Sequence, residues 1–183
     1  IQCMRALVLR ETSFKIEETP NPVLLPNQAL VKIQFAALNH RDQWIREGQY
    51  AKIELPAILG SDGCGEVIEV ADVAAQQWIG KTVIINPNIN WGNHPKAQQK
   101  EYQILGMPSH GTLAEYVAVN LDRLVEKPSY LTNEQAAAFP LGGLTAFIAG
   151  IIWFFSGLEK SQIQSISSVA SNLIIFSIIV AFI

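Results

Sequence analysis

Two neighbouring runs decide how this chain folds: ALNHRDQWIREG, from Ala37 to Gly48, and LGSDGCGEVIEV, from Leu59 to Val70. In the first, an apolar run ends at Leu38 and polar residues take over at Asn39. The Asn39 side-chain oxygen can accept from the first free backbone N–H groups of a helix over His40–Glu47, and Gly48 supplies the stop. In the second, small and polar residues give way to Val67, Ile68 and Val70, a strand pattern. Gly63-Cys64-Gly65 comes nearest to a dinucleotide fingerprint, but Ile68 stands where the third glycine would fall and the segment leads into a strand. It therefore reads as a tight turn entering a strand, not as a pyrophosphate loop at a helix start.

Working outward, Met4–Arg10, Ala29–Leu38, Gly65–Ala71, Lys81–Ile85 and Thr112–Val119 are short runs rich in Val, Ile and aromatics. Prolines and glycines punctuate them. Such strands with few helical stretches predict a mainly β fold with short helices, arranged as a partly open β-barrel. Thr132 and Gln135 form a capping-box pattern that opens a helix over Asn133–Phe139. The change from strand to helix patterning falls at Glu126-Lys127-Pro128-Ser129.

The 183 residues carry 13 Lys and Arg against 16 Asp and Glu, a formal charge of -3. That leaves no basic surplus for phosphates, so no nucleic-acid partner is expected. Cys3 and Cys64 stand far apart with no C-x-x-C pair, which argues against a disulfide scaffold or a cysteine-rich zinc module and for a reducing, cytoplasmic setting. H-E-x-x-H, G-x-S-x-G and P-loop patterns are absent, and His94 and His110 read as solvated loop residues. Ile1-Gln2-Cys3-Met4-Arg5 lacks the features of a secretory signal, and the expectation is a fragment or a start at Met4.

Four ordered motifs carry a resemblance: Ala37-Leu38-Asn39-His40-Arg41-Asp42, Leu59–Val67, His110-Gly111-Thr112-Leu113-Ala114-Glu115-Tyr116-Val117, and Phe139-Pro140-Leu141-Gly142-Gly143-Leu144-Thr145-Ala146-Phe147. Together they resemble the N-terminal, GroES-like half of medium-chain dehydrogenases/reductases, nearest to the alcohol-dehydrogenase-like and quinone-oxidoreductase-like members. The resemblance covers Met4 to Phe147. It implies a GroES-like domain over 4–129 and a first helix region over 130–147 leading to a Rossmann domain that this sequence does not contain, and it leaves an apolar tail of open origin over 148–183.

The zinc-dependent members read Cys-His-x-Asp at the first motif and Gly-His-Glu-x-x-Gly at the second. Here Asn39 and Ser61 stand at the zinc-binding positions and Asp62 replaces the Glu. Amide and hydroxyl groups are poor substitutes for thiolate and imidazole. The resemblance therefore implies a zinc-independent, NADPH-dependent oxidoreductase acting on a carbonyl, enone or quinone, with no metal site. It carries over Asn39 as a catalytic residue bordering the nicotinamide, Asp42 as a catalytic, cleft-supporting carboxylate, and His40 and Thr145 as cofactor-binding residues. Each has a simpler reading beside it: Asp42 as a favourable first-turn acid, His40 as an exposed helix residue, Thr145 as a hydroxyl bonded to its own helix. Arg41 replaces the Ser or Thr that relays a proton in alcohol dehydrogenases. A small-molecule substrate and a homodimer are implied for the intact parent only, and this chain alone is expected to be inactive.

The tail departs from the family. Gln135–Leu158 and Ser161–Ile183 carry no charge. Three readings stand open: a frame-shift or truncation product, a membrane hairpin over 135–183, and a buried helical pair. The second would make the chain a non-catalytic GroES-like module that binds a membrane or partner through an apolar tail.

Overall fold

The computed structural model describes residues 3–93 and 98–156. Strand β1 (Cys3–Arg10) turns back into β2 (Ser13–Pro20) with Cys3 opposite Pro20 and Arg10 opposite Ser13. Its other edge meets β4 (Ala57–Ile58), giving a three-stranded sheet. A second sheet is built around β3 (Gln28–Ala37), with β5 (Asp62–Val70) on one side and β9 (Tyr116–Asn120) on the other. Beyond β5 lie β6 (Thr82–Ile85) and β10 (Leu124–Glu126), all antiparallel. The pair β7 (Asn88–Ile89) and β8 (Gln103–Ile104) stands apart.

The two larger sheets join where the chain approaches β9. The Leu7 N–H donates to the Leu113 carbonyl at 2.8 Å, and the Glu115 N–H donates to the Arg5 carbonyl at 3.1 Å. The strands do not close into a barrel; the fold is the mainly β, partly open arrangement with short helices that the sequence predicts.

The alternation of apolar residues places the core. Val31, Val67, Val83, Ile85 and Val117, on neighbouring strands of the second sheet, share one buried cluster. Each buried side chain of this size contributes about 1.5–3 kcal/mol relative to leaving it in water. A second cluster of Leu9, Ile45, Ala57, Leu59 and Met107 fastens helix α1 (His40–Arg46) to the sheets through Ile45. A third, with Cys64 and Ile84 against Ala136 and Ala137, seats α2 (Asn133–Ala138) on β5 and β6. Helix α3 (Pro140–Ser156) follows directly.

Three local expectations change. Gly63-Cys64-Gly65 lies inside β5, paired to β3, and is not a turn. A Cβ at Gly65 would sit 2.1 Å from the Lys32 carbonyl oxygen, so glycine here permits close strand approach. At Asn39 the side chain makes no cap bond; instead the Asp42 carboxylate accepts from the Asn39 N–H at 2.8 Å. The Asn39 amide is occupied elsewhere, as described below. Strand β2 has no counterpart in the expected set, because SFKIEETP offers few apolar residues and Ile16 is exposed. The capping box at α2 forms as expected: Gln135 N–H donates to Thr132 Oγ1, and Thr132 N–H donates to Gln135 Oε1.

His94 and residues 157–183 lie outside the described residues, and with them most of the apolar tail. Among the described residues no helix is long and apolar enough to cross a membrane.

Candidate active site

The site forms where the start of α1, the start of β5 and the start of α3 meet. Leu59-Gly60-Ser61 leads into β5 against the loop at Gly111-Thr112. Gly60 has φ +93°, and a Cβ there would lie 2.5 Å from Thr112 Oγ1. Gly111 is equally constrained, since its Cβ would lie 2.0 Å from the Gly60 carbonyl oxygen. Glycine at both positions lets the two loops touch, which sets Ser61 and Asp62 beside α1. The Thr112 hydroxyl donates to the Asp62 carbonyl at 2.8 Å and fixes that contact.

Asn39 is the centre of the arrangement. Its Nδ2 donates to Ser61 Oγ at 3.0 Å and to Asp62 Oδ2 at 3.1 Å. These two hydrogen bonds tie the N-terminus of α1 to the start of β5. Asp62 Oδ2 accepts a second bond from the Leu141 N–H at 3.1 Å. The carboxylate thus caps the start of α3 from within the sheet. One turn later the Thr145 hydroxyl donates to the Leu141 carbonyl at 2.8 Å. A chain of hydrogen bonds therefore runs Asn39, Asp62, Leu141, Thr145.

Asp42 sits on the other side of Asn39. One oxygen accepts from the Asn39 N–H and the other from the Gly60 N–H at 3.1 Å, so it ties α1 to the loop before β5. Both carboxyls are buried, and burial raises both above the ordinary carboxylate range. For Asp42 the two backbone N–H groups and Arg41 oppose the shift. For Asp62, 1% exposed, burial pushes the carboxyl up to about 7 against the bonds from Asn39 and Leu141. Asp62 Oδ1 is buried with no hydrogen-bond partner among the described residues. A carboxyl in that state can carry a proton near neutral pH.

The sequence-predicted residues thus fall as follows. Asn39 and Asp42 are joined directly, and Thr145 reaches them through Leu141. His40 is exposed on α1 with its ring 4.8 Å from Trp44, and is not drawn into this network. His110 is exposed, and its Nδ1 accepts from the Ile58 N–H at 3.4 Å. Among the described residues no group of three His, Cys, Asp or Glu stands close enough to hold a metal ion. Two features escape sequence reasoning: the protonatable state of Asp62 and the burial of Arg41, which is 6% exposed. The signal for the first is a carboxylate opening a strand whose next residues, Gly63, Cys64 and Gly65, are all buried.

A sequence model of the alcohol dehydrogenase GroES-like domain matches residues 25–129. The zinc-type alcohol dehydrogenase-like protein YogA of Leptosphaeria maculans is 33% identical over 146 residues, which cover 74% of this chain and 40% of that protein. The crystal structure of an NAD-dependent alcohol dehydrogenase superposes with a TM-score of 0.71 at 38% identity, covering 79% of this chain and 45% of that one. The quinone oxidoreductase from Coxiella burnetii superposes with a TM-score of 0.66 at 32% identity, over 81% of this chain and 44% of its own. The chain therefore spans less than half the length of each of these relatives. With the domain match, the ordered motifs and the open antiparallel sheets in agreement, the chain belongs to the medium-chain dehydrogenase/reductase family, of which it carries the GroES-like domain.

Proposed function

We propose that this chain is the substrate-side half of an NADPH-dependent, zinc-independent oxidoreductase that reduces a carbonyl, enone or quinone. The observation that carries the proposal is the bond network of Asn39. At the two positions where zinc-dependent members hold the metal, this chain has an amide and a hydroxyl bonded to each other. The Asn39 nitrogen is a donor with no lone pair to offer, and Ser61 is fully buried in a hydrogen bond. That donor set does not fit a borderline-soft ion that prefers thiolate and imidazole. Kinship with a quinone oxidoreductase as well as with alcohol dehydrogenases supports the oxidoreductase class.

A nicotinamide would lie against Asn39, with His40 and Thr145 bordering it; when bound, it supplies the hydride. The exposure of His40 and Thr145 suits residues at the margin of a shared cleft. What this chain contributes is orientation. Asn39 is locked in one rotamer by Ser61 and Asp62, and Asp42 fixes the backbone on which it stands. Asp62, raised to about 7 by burial, lies beneath Asn39 and holds its amide in place.

Without a G-x-G-x-x-G strand-turn-helix unit in its sequence, the 183-residue chain alone will not turn over NADPH. Joining residues 1–147 to the nucleotide-binding half of the Coxiella burnetii quinone oxidoreductase tests the reading. Turnover of NADPH with 1,4-benzoquinone or 2-cyclohexenone, unaffected by chelators and lowered about tenfold or more by Asn39→Ala, is the expected result. A folded chimaera that binds NADPH yet reduces neither, or one whose activity vanishes with chelator, contradicts it.

A further inference from the structure

Arg41 follows the exposed His40 on α1, yet its side chain turns inward and is buried. Its Nη1 donates to the Leu105 carbonyl at 2.8 Å, and its guanidinium carbon lies 5.1 Å from the centre of the Tyr50 ring. Its other two nitrogens, Nε and Nη2, are buried and have no hydrogen-bond partner among the described residues. The neighbouring carboxylates do not supply one. Asp42 spends both oxygens on the Asn39 and Gly60 N–H groups, and Asp62 turns Oδ2 to Asn39 and Leu141.

Which two nitrogens are unpaired matters. Nε and Nη2 form the edge of the guanidinium whose two N–H bonds run parallel, the edge that holds a carboxylate side-on. This chain uses that edge twice elsewhere: Arg10 Nε and Nη2 both bind Glu17, and Arg5 Nε and Nη2 both bind Glu115. Those pairs are at the surface, whereas Arg41 keeps the same fork unfilled inside the protein, beside Asn39 and Asp42. A buried cation with unmet donors costs stability that a leucine or methionine in the same space would not. The charge offsets the burial of Asp42 and Asp62 and Nη1 holds the Leu105 carbonyl, but neither role uses the Nε–Nη2 edge.

We propose that Arg41 determines substrate specificity by taking a carboxylate of the substrate on its Nε–Nη2 edge, so that the carbonyl or enone reduced here also carries a carboxylate. This rests on the oxidoreductase reading for the reaction, but not for the binding. The Tyr50 ring lies over the guanidinium and would form one wall against the ligand. The planar fork matches a carboxylate better than a tetrahedral anion or a neutral amide.

The 15N-labelled 183-residue chain provides the test through the Nε–Hε resonance of Arg41, titrated at constant ionic strength with sodium crotonate, with crotonamide as the neutral isostere and with inorganic phosphate. Crotonate is expected to give a saturable shift at concentrations at least about tenfold lower than crotonamide or phosphate require. Arg41→Lys, which keeps the charge and loses the fork, is expected to weaken crotonate binding about tenfold. An equal response to crotonamide, a stronger one to phosphate, no saturable shift, or full crotonate binding by a folded R41K protein overturns the proposal. If R41K does not fold, the three ligands on the unsubstituted chain decide. The readout involves no nucleotide, so its failure leaves the oxidoreductase reading standing, and a failed turnover assay leaves the carboxylate fork standing.

Discussion

At Asp62 a single carboxyl does three things: it receives Asn39, caps α3 through Leu141, and leaves one buried oxygen to bear a proton. Its raised pKa is also a statement about stability. The folded chain binds the Asp62 proton more tightly than the unfolded chain, so this stabilisation is complete below about pH 4 and is lost as pH rises through about 7. Urea unfolding is expected to show the chain roughly 2 to 3 kcal/mol less stable at pH 8 than at pH 5 on this account, with most of that slope absent from Asp62→Asn. Equal slopes in the two proteins would place the proton elsewhere. The family resemblance identifies Asn39 and Ser61 as the altered zinc positions and Asp62 as the shortened Glu beside them. It does not show that they bond to one another, since that depends on the loops at Gly60 and Gly111 meeting across about 50 residues of chain.

Elements with strong local signals are legible, and those made by their neighbours are not. Strands β1, β3, β5, β6 and β9 announce themselves by β-branched runs, and α2 by its capping box. Strand β2 exists because β1 pairs with it along its whole length, and β4, β7 and β8 are two-residue pairings that no periodicity can show. The glycines of β5 were legible as glycines but not as strand residues, because their reason is the opposing backbone of β3. Gly65→Ala tests that reason: the added methyl would meet the Lys32 carbonyl, and a loss of about 3 kcal/mol or more is expected in urea unfolding. A loss within about 0.5 kcal/mol would mean that the two strands are not so close.

On the scale of the whole molecule, the ordered motifs and the open sheets agree on the GroES-like domain of the family. Phe139, Leu144 and Phe147 are exposed where α2 passes into α3. Whether the tail is a frame-shift product, a hairpin or a helical pair belongs to residues that carry no family pattern, so neither periodicity nor resemblance reaches it. The metal-binding capacity of the Asn39–Ser61 site, by contrast, can be tested on this chain directly. The chain and a variant restored to the zinc-type pattern, Asn39→Cys with Ser61→His and Asp62→Glu, can be equilibrated with zinc, passed through a desalting column and analysed for bound metal. The hydrogen-bonded site predicts zinc well below one equivalent in the natural chain and a clear gain in the restored one; one tightly held equivalent in the natural chain, lost in Asn39→Ala, would contradict it.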